Sequence, residues 1–87
     1  MPEHFKTLAV IYDICQDDPH PETYKCRPRE LILNDTDNWH VIEQHLITLR
    51  EEGLIRLAKE DTMIVFITTA GIEMVNRERK LQRNIQP

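Results

Sequence analysis

Apolar positions recur along the chain with two different periods, and the places where the period changes outline the elements. From Glu3 to about Gln16, Phe5, Leu8, Tyr12 and Cys15, with Val10 and Ile11 beside them, follow the i, i+3, i+4, i+7 spacing of an amphipathic helix. The stretch "QDDPHPE" ends it, because Pro19 and Pro21 cannot donate backbone hydrogen bonds and the acidic side chains favour a solvated loop. "TYKC" is short and extended in character. Pro28 suits a first helical position, so "PRELIL" opens a second helix with Leu31 and Ile32 expected to face inward. In "NDTDN", Asx and Thr side chains can bond nearby backbone amides, which predicts a turn with Asp37 or Asn38 starting a third helix.

The third helix carries the clearest stripe: Ile42, Leu46 and Leu49 align within "WHVIEQHLITLREEG", and Gly53 falls where a left-handed C-terminal cap is needed. The period then shortens to two. "LIRLA" and "MIVFIT" are β-prone runs separated by the polar turn "KEDT", which predicts an antiparallel hairpin. The second run passes directly into "TTAGIEMVNRERK", where Ile72 and Val75 mark one more helical face, Thr68 has a hydroxyl to cap it, and Gly71 occupies its third position. No internal repeat or low-complexity tract interrupts this order.

Helix, short strand, helix, turn, helix, hairpin, helix is the order of a winged helix-turn-helix domain, an α+β fold that is mainly α, with a three-helix core, a two-stranded wing and a C-terminal helix. The 87 residues fit one such domain, with a tail over residues 77–87. "LREEGLIRL" followed by "FITTAGIEMV" resembles bacterial and archaeal winged-helix regulators of the MarR and PadR kind, whose patterns read roughly L-x-x-x-G-L-I and L-T-x-x-G. The resemblance covers about residues 5–76. It implies a recognition helix at helix three, with Trp39, His40, Glu43 and Gln44 toward the major groove of double-stranded DNA, and a homodimer, since many proteins of this fold dimerise through terminal helices. Gln44 could pair with an adenine edge, and His40 could donate to a phosphate or base, whereas Glu43 accepts from cytosine or repels the backbone. Phosphate contacts would fall to Lys25, Arg27, Arg29 and Lys59.

Charge complicates that picture. Residues 1–76 hold 7 Lys/Arg and 14 Asp/Glu, a net of −7, while residues 77–87 carry Arg77, Arg79, Lys80 and Arg83 against Glu78, a net of +3. An acidic body repels phosphate away from any local cationic patch, and the wing turn "KEDT" is net −1 where related wings carry Arg or Lys. The tail cations have three readings: complementing the dipole of the last helix, reaching phosphate, or pairing with a second copy, and the first is favoured. Leu81 and Ile85 are too few for a coiled-coil seam. The same charge balance keeps a second function open, a winged-helix protein-interaction or dimerisation module that binds no DNA and uses Trp39 and Ile47 on an acidic surface. Trp39 equally suits a partly buried anchor at the start of helix three.

Other chemistries find less support. There is no serine, and neither Cys15 nor Cys26 has a neighbouring base, so no catalytic constellation is present and no cofactor is expected. His40 and His45 are five apart, about 140° around a helix, and do not share the face of a two-histidine metal site. Cys15, His20 and Cys26 could gather near the acidic loop, although no metal is expected there. No apolar run of about 18 residues could span a bilayer, and "MPEHFKTLAV" does not read as a signal peptide. A cytoplasmic protein with both cysteines reduced is the expectation.

Overall fold

The computed structural model describes residues 3–85, with side chains described through Leu81. The elements follow in the order α1 (His4–Cys15), a 3-10 turn (Pro21–Thr23), α2 (Pro28–Asn34), α3 (Trp39–Glu51), β1 (Ile55–Lys59), β2 (Met63–Ile67) and α4 (Thr69–Ile85). This is a winged helix-turn-helix, and the periodicities above place its four α-helices and both strands, while the 3-10 turn falls where a loop was expected.

Leu8, Ile11 and Cys15 of α1 meet Leu31 of α2 and Ile42, Leu46 and Leu49 of α3 in a single core cluster, and all seven are essentially inaccessible to solvent. Pro28 begins α2, and Asn38 caps α3, its Oδ1 accepting from the Val41 amide at 3.1 Å. Gly53 closes α3 with φ of +76°, a left-handed conformation that a Cβ disfavours. One expectation fails on α2: Leu31 is fully buried, but Ile32 is 51% exposed and Leu33 73%. The helix has only seven residues and docks along one line, so the residue after Leu31, about 100° further round, turns outward.

The hairpin is antiparallel, with Ile55 opposite Ile67, Leu57 opposite Val65 and Lys59 opposite Met63. Opposed residues share a face, so Ile55, Val65 and Ile67 enter the core together. The extended "TYKC" segment meets the two-stranded sheet through a single bridge, in which Cys26 exchanges backbone hydrogen bonds with Val65 at 3.1 and 2.8 Å. That bridge carries the chain past β2 and into α2.

The junction between α3 and α4 is tightly built. Thr68 Oγ1 accepts from the Gly71 amide at 3.0 Å and donates to the Gly53 carbonyl at 2.8 Å, while the Thr68 amide donates to the Leu54 carbonyl at 3.1 Å. One threonine thus caps α4 and ties it to the turn that ends α3. Gly71 passes directly over the Leu54 carbonyl oxygen, in space that a Cβ would need.

Residues 77–85 continue α4 without a break, which corrects the dipole reading for three of the four tail cations. Arg77, Arg79 and Lys80 lie more than a turn from the helix end, where dipole effects have faded. Arg79 instead donates to Asp13 at 2.7 Å and lies over the Tyr12 ring at 5.6 Å, clamping α4 to α1. The side chains of Arg83 and Ile85 lie outside the described residues.

Candidate nucleic-acid interface

The turn between α2 and α3 sets the orientation of α3 through a partly buried polar chain. Thr7 of α1 is fully buried, and its hydroxyl lies 2.8 Å from His45 Nδ1 and 3.3 Å from Asp35 Oδ2. A carboxylate only accepts, so the hydroxyl proton goes to Asp35 and the oxygen accepts from an Nδ1–H of His45. Three segments are joined at one atom. Asp35 Oδ1 also accepts from the Asp37 amide at 3.0 Å, and Lys6 donates to Thr36 at 2.7 Å, so α1 holds the turn from both sides. His45 therefore faces inward as a structural group, separate from the exposed His40.

On the outer side of α3, His40, Glu43 and Gln44 are exposed together. Gln44 Nε2 and His40 Nε2 approach to 3.3 Å across one helical turn, so each partly occupies the other. Trp39 does not join them fully, because it is half-buried and packs against the core at the start of the helix. Ile47, one turn beyond Glu43, is exposed.

The four cations divide into two pairs. Lys25 Nζ donates to both carboxylate oxygens of Glu60 at 3.0 and 3.3 Å, and Arg27 Nη1 donates to Thr62 Oγ1 at 3.2 Å. Both contacts join the segment before α2 to the wing turn. Arg29 and Lys59 are exposed and have no hydrogen-bond partner among the described residues. Glu30 anchors the start of α2: its carboxylate accepts from the Arg27 amide at 3.4 Å and from the Tyr24 hydroxyl at 2.7 Å. That bond to a carboxylate pushes the Tyr24 phenol up to about 12.

Lys59 lines an open groove of about 320 Å³ with Arg50, Leu57, Ala58 and Met63, between the last turn of α3 and the wing. Arg50 is a cation that periodicity alone overlooks, since "LREEG" reads as a helix end and gives no sign that the wing folds back beside it. Arg56 is also on the wing, but its guanidinium lies 5.0 Å from the centroid of the Phe66 ring on the opposing strand.

Cys15 and Cys26 are free and buried. Burial pushes their thiols up to about 11 and about 12, respectively. Among the described residues, no group of three or more His, Cys, Asp or Glu is placed to hold a metal ion, and no helix is long and apolar enough to cross a membrane.

No family model matches the chain, and no curated protein matches it in sequence. Solved structures do. The chain is similar to Bordetella bronchiseptica BpsR, whose DNA binding is regulated by 6-hydroxynicotinic acid, with a TM-score of 0.75 and 12% identity over 98% of this chain and 57% of BpsR. It is also similar to a mutant of S. aureus MepR, with a TM-score of 0.66 and 17% identity over 99% of this chain and 66% of that one. At such identities the likeness establishes the fold, and the chain spans less than two thirds of either protein.

Proposed function

We propose that the protein is a DNA-binding transcriptional regulator of the winged-helix type, acting in the cytoplasm as a homodimer and placing α3 in the major groove. The observation that carries this reading is the outer face of α3: His40, Glu43 and Gln44 are exposed together, with exposed cations on the elements before and after it, Arg29 on α2 and Lys59 on the wing. The likeness to BpsR, a protein with regulated DNA binding, supports it. Gln44 is the side chain best suited to an adenine edge, and His40 to a base or phosphate, with Trp39 supporting the start of the helix from the core. Lys25, Arg27, Arg29 and Lys59 contact the backbone, and no cofactor is required. Exposed Leu33 and Ile47 on an acidic body favour the second reading, a protein-docking module without DNA.

Fluorescence anisotropy with random duplex DNA separates the two. Four phosphate contacts per protomer, eight per dimer, predict that affinity falls about ten-thousandfold between about 50 and 200 mM salt. Arg27→Glu and Arg29→Glu each weaken binding and flatten the salt dependence. No binding at about 50 mM salt rules out the regulator and leaves the docking module. Light scattering that shows a monomer at high concentration removes the two-half-site geometry of a dimeric reader.

A further inference from the structure

The acidic wing turn does more than dilute a cationic surface. Glu60 receives Lys25 at 3.0 Å across 35 residues of sequence, and Arg27 reaches Thr62, two residues further along the same turn, at 3.2 Å. The turn is closed by the Glu60 amide donating to the Thr62 carbonyl at 3.0 Å, which holds the carboxylate over the segment that enters α2. The Glu60 carboxylate therefore occupies the ammonium of Lys25, a point charge that would otherwise be open to a backbone phosphate.

We infer that Glu60 is a built-in counter-charge for Lys25, standing where a DNA phosphate would stand and lowering the affinity of the free surface for duplex DNA. The inference rests on the DNA-binding reading above. Two effects act in the same direction. A phosphate reaching Lys25 must displace Glu60, and it then sits within the roughly 8 Å over which physiological salt leaves charges unscreened. The opposing effect, pre-orientation of the lysine, is weak because the Lys25 and Glu60 side chains are 51% and 48% exposed and such pairs exchange readily.

The test is a double-mutant cycle on random duplex DNA, using the wild type, Glu60→Gln, Lys25→Met and the double variant, at about 50 and 200 mM salt. Both side chains are on the surface, so circular dichroism should show four equally folded proteins. Glu60→Gln should bind about three- to fivefold tighter per protomer at low salt, with the gain shrinking at about 200 mM salt as screening increases. In the Lys25→Met background the gain should shrink below about twofold. An equal gain in both backgrounds overturns the inference, since Glu60 would then act only as a diffuse negative charge. Unchanged or weaker binding by Glu60→Gln overturns it in favour of a positioning role. If none of the four proteins binds, the DNA-binding reading itself falls and takes the inference with it. DNA binding that fails the cycle refutes the inference alone.

Discussion

Gly71→Ala sets helix propensity against packing, and the two predict opposite signs. Gly71 occupies the third position of α4, where alanine would gain up to about 1 kcal/mol from propensity. A Cβ there, however, overlaps the Leu54 carbonyl oxygen and comes within 2.9 Å of Ile67 Cγ1. The isoleucine can shift, but the carbonyl is held by the Thr68 amide at 3.1 Å. Overpacking costs about 1–3 kcal/mol, and the upper part applies when the obstacle is backbone. Loosening the Thr68 bond costs about 1 kcal/mol more. The net is a destabilisation of about 1–3 kcal/mol, and at about 4–8 °C per kcal/mol for a domain of this size the melting temperature should fall by roughly 5–20 °C. Gly53→Ala is the control: its Cβ meets nothing within 4 Å, so only the left-handed φ of +76° is strained, at about 1–2 kcal/mol. Thermal unfolding followed by circular dichroism measures both. A Gly71→Ala protein that melts at or above the wild-type temperature refutes the close approach of α4 to the α3 turn.

Thr7→Val keeps the shape and removes the hydroxyl shared by His45 and Asp35; because Asp35 retains some solvent, the cost should be about 1–2 kcal/mol. Urea unfolding should show a lower midpoint at unchanged slope, and wild-type stability in Thr7→Val would show that the polar chain holds nothing. The cysteines give a pH test. Both thiols ordinarily titrate near 9 and are raised by burial, to about 11 for Cys15 and about 12 for Cys26, so the folded state keeps its protons while the unfolded chain releases them. Stability should therefore be insensitive to these groups below pH 9 and fall as pH rises from 9 toward 11. At pH 8 a thiol reagent should label them only as fast as the protein opens, and rapid labelling of either would contradict its burial.

The fold was legible wherever a periodic pattern was long enough to leave one docking direction. On α3, thirteen residues repeat Ile42, Leu46 and Leu49 on one line, and Gly53 marks where that line must end. The exit of the wing was legible for a chemical reason: Thr68 and Gly71 sit three apart, the spacing at which an N-cap hydroxyl meets an amide. Seven-residue α2 lacked that length. "ELIL" offers three consecutive apolar residues, and only the position of α1 and β2 decides that Leu31 enters the core while Ile32 and Leu33 remain outside. The tail cations failed for a related reason, because Arg79 finds Asp13 across 66 residues and no local rule anticipates that pair.

The residues proposed for the interface could be named from the sequence, whereas the state of each in the folded chain could not. A cation's value to a phosphate depends on what already holds it, and that is tertiary information. Lys25, Arg27, Arg29 and Lys59 look alike in sequence; folding the hairpin back engages the first two with Glu60 and Thr62 and leaves the second two without partners among the described residues. The net charge of −1 across "KEDT" is likewise a poor guide, since Glu60 spends its charge on Lys25 while Lys59 turns to the groove beside Arg50. An acidic composition is therefore compatible with a phosphate-binding face, provided the acids near it are matched to particular cations. Arg29 and Lys59 should accordingly carry more of the wild-type affinity than Lys25, and the order should level once Glu60 is neutralised.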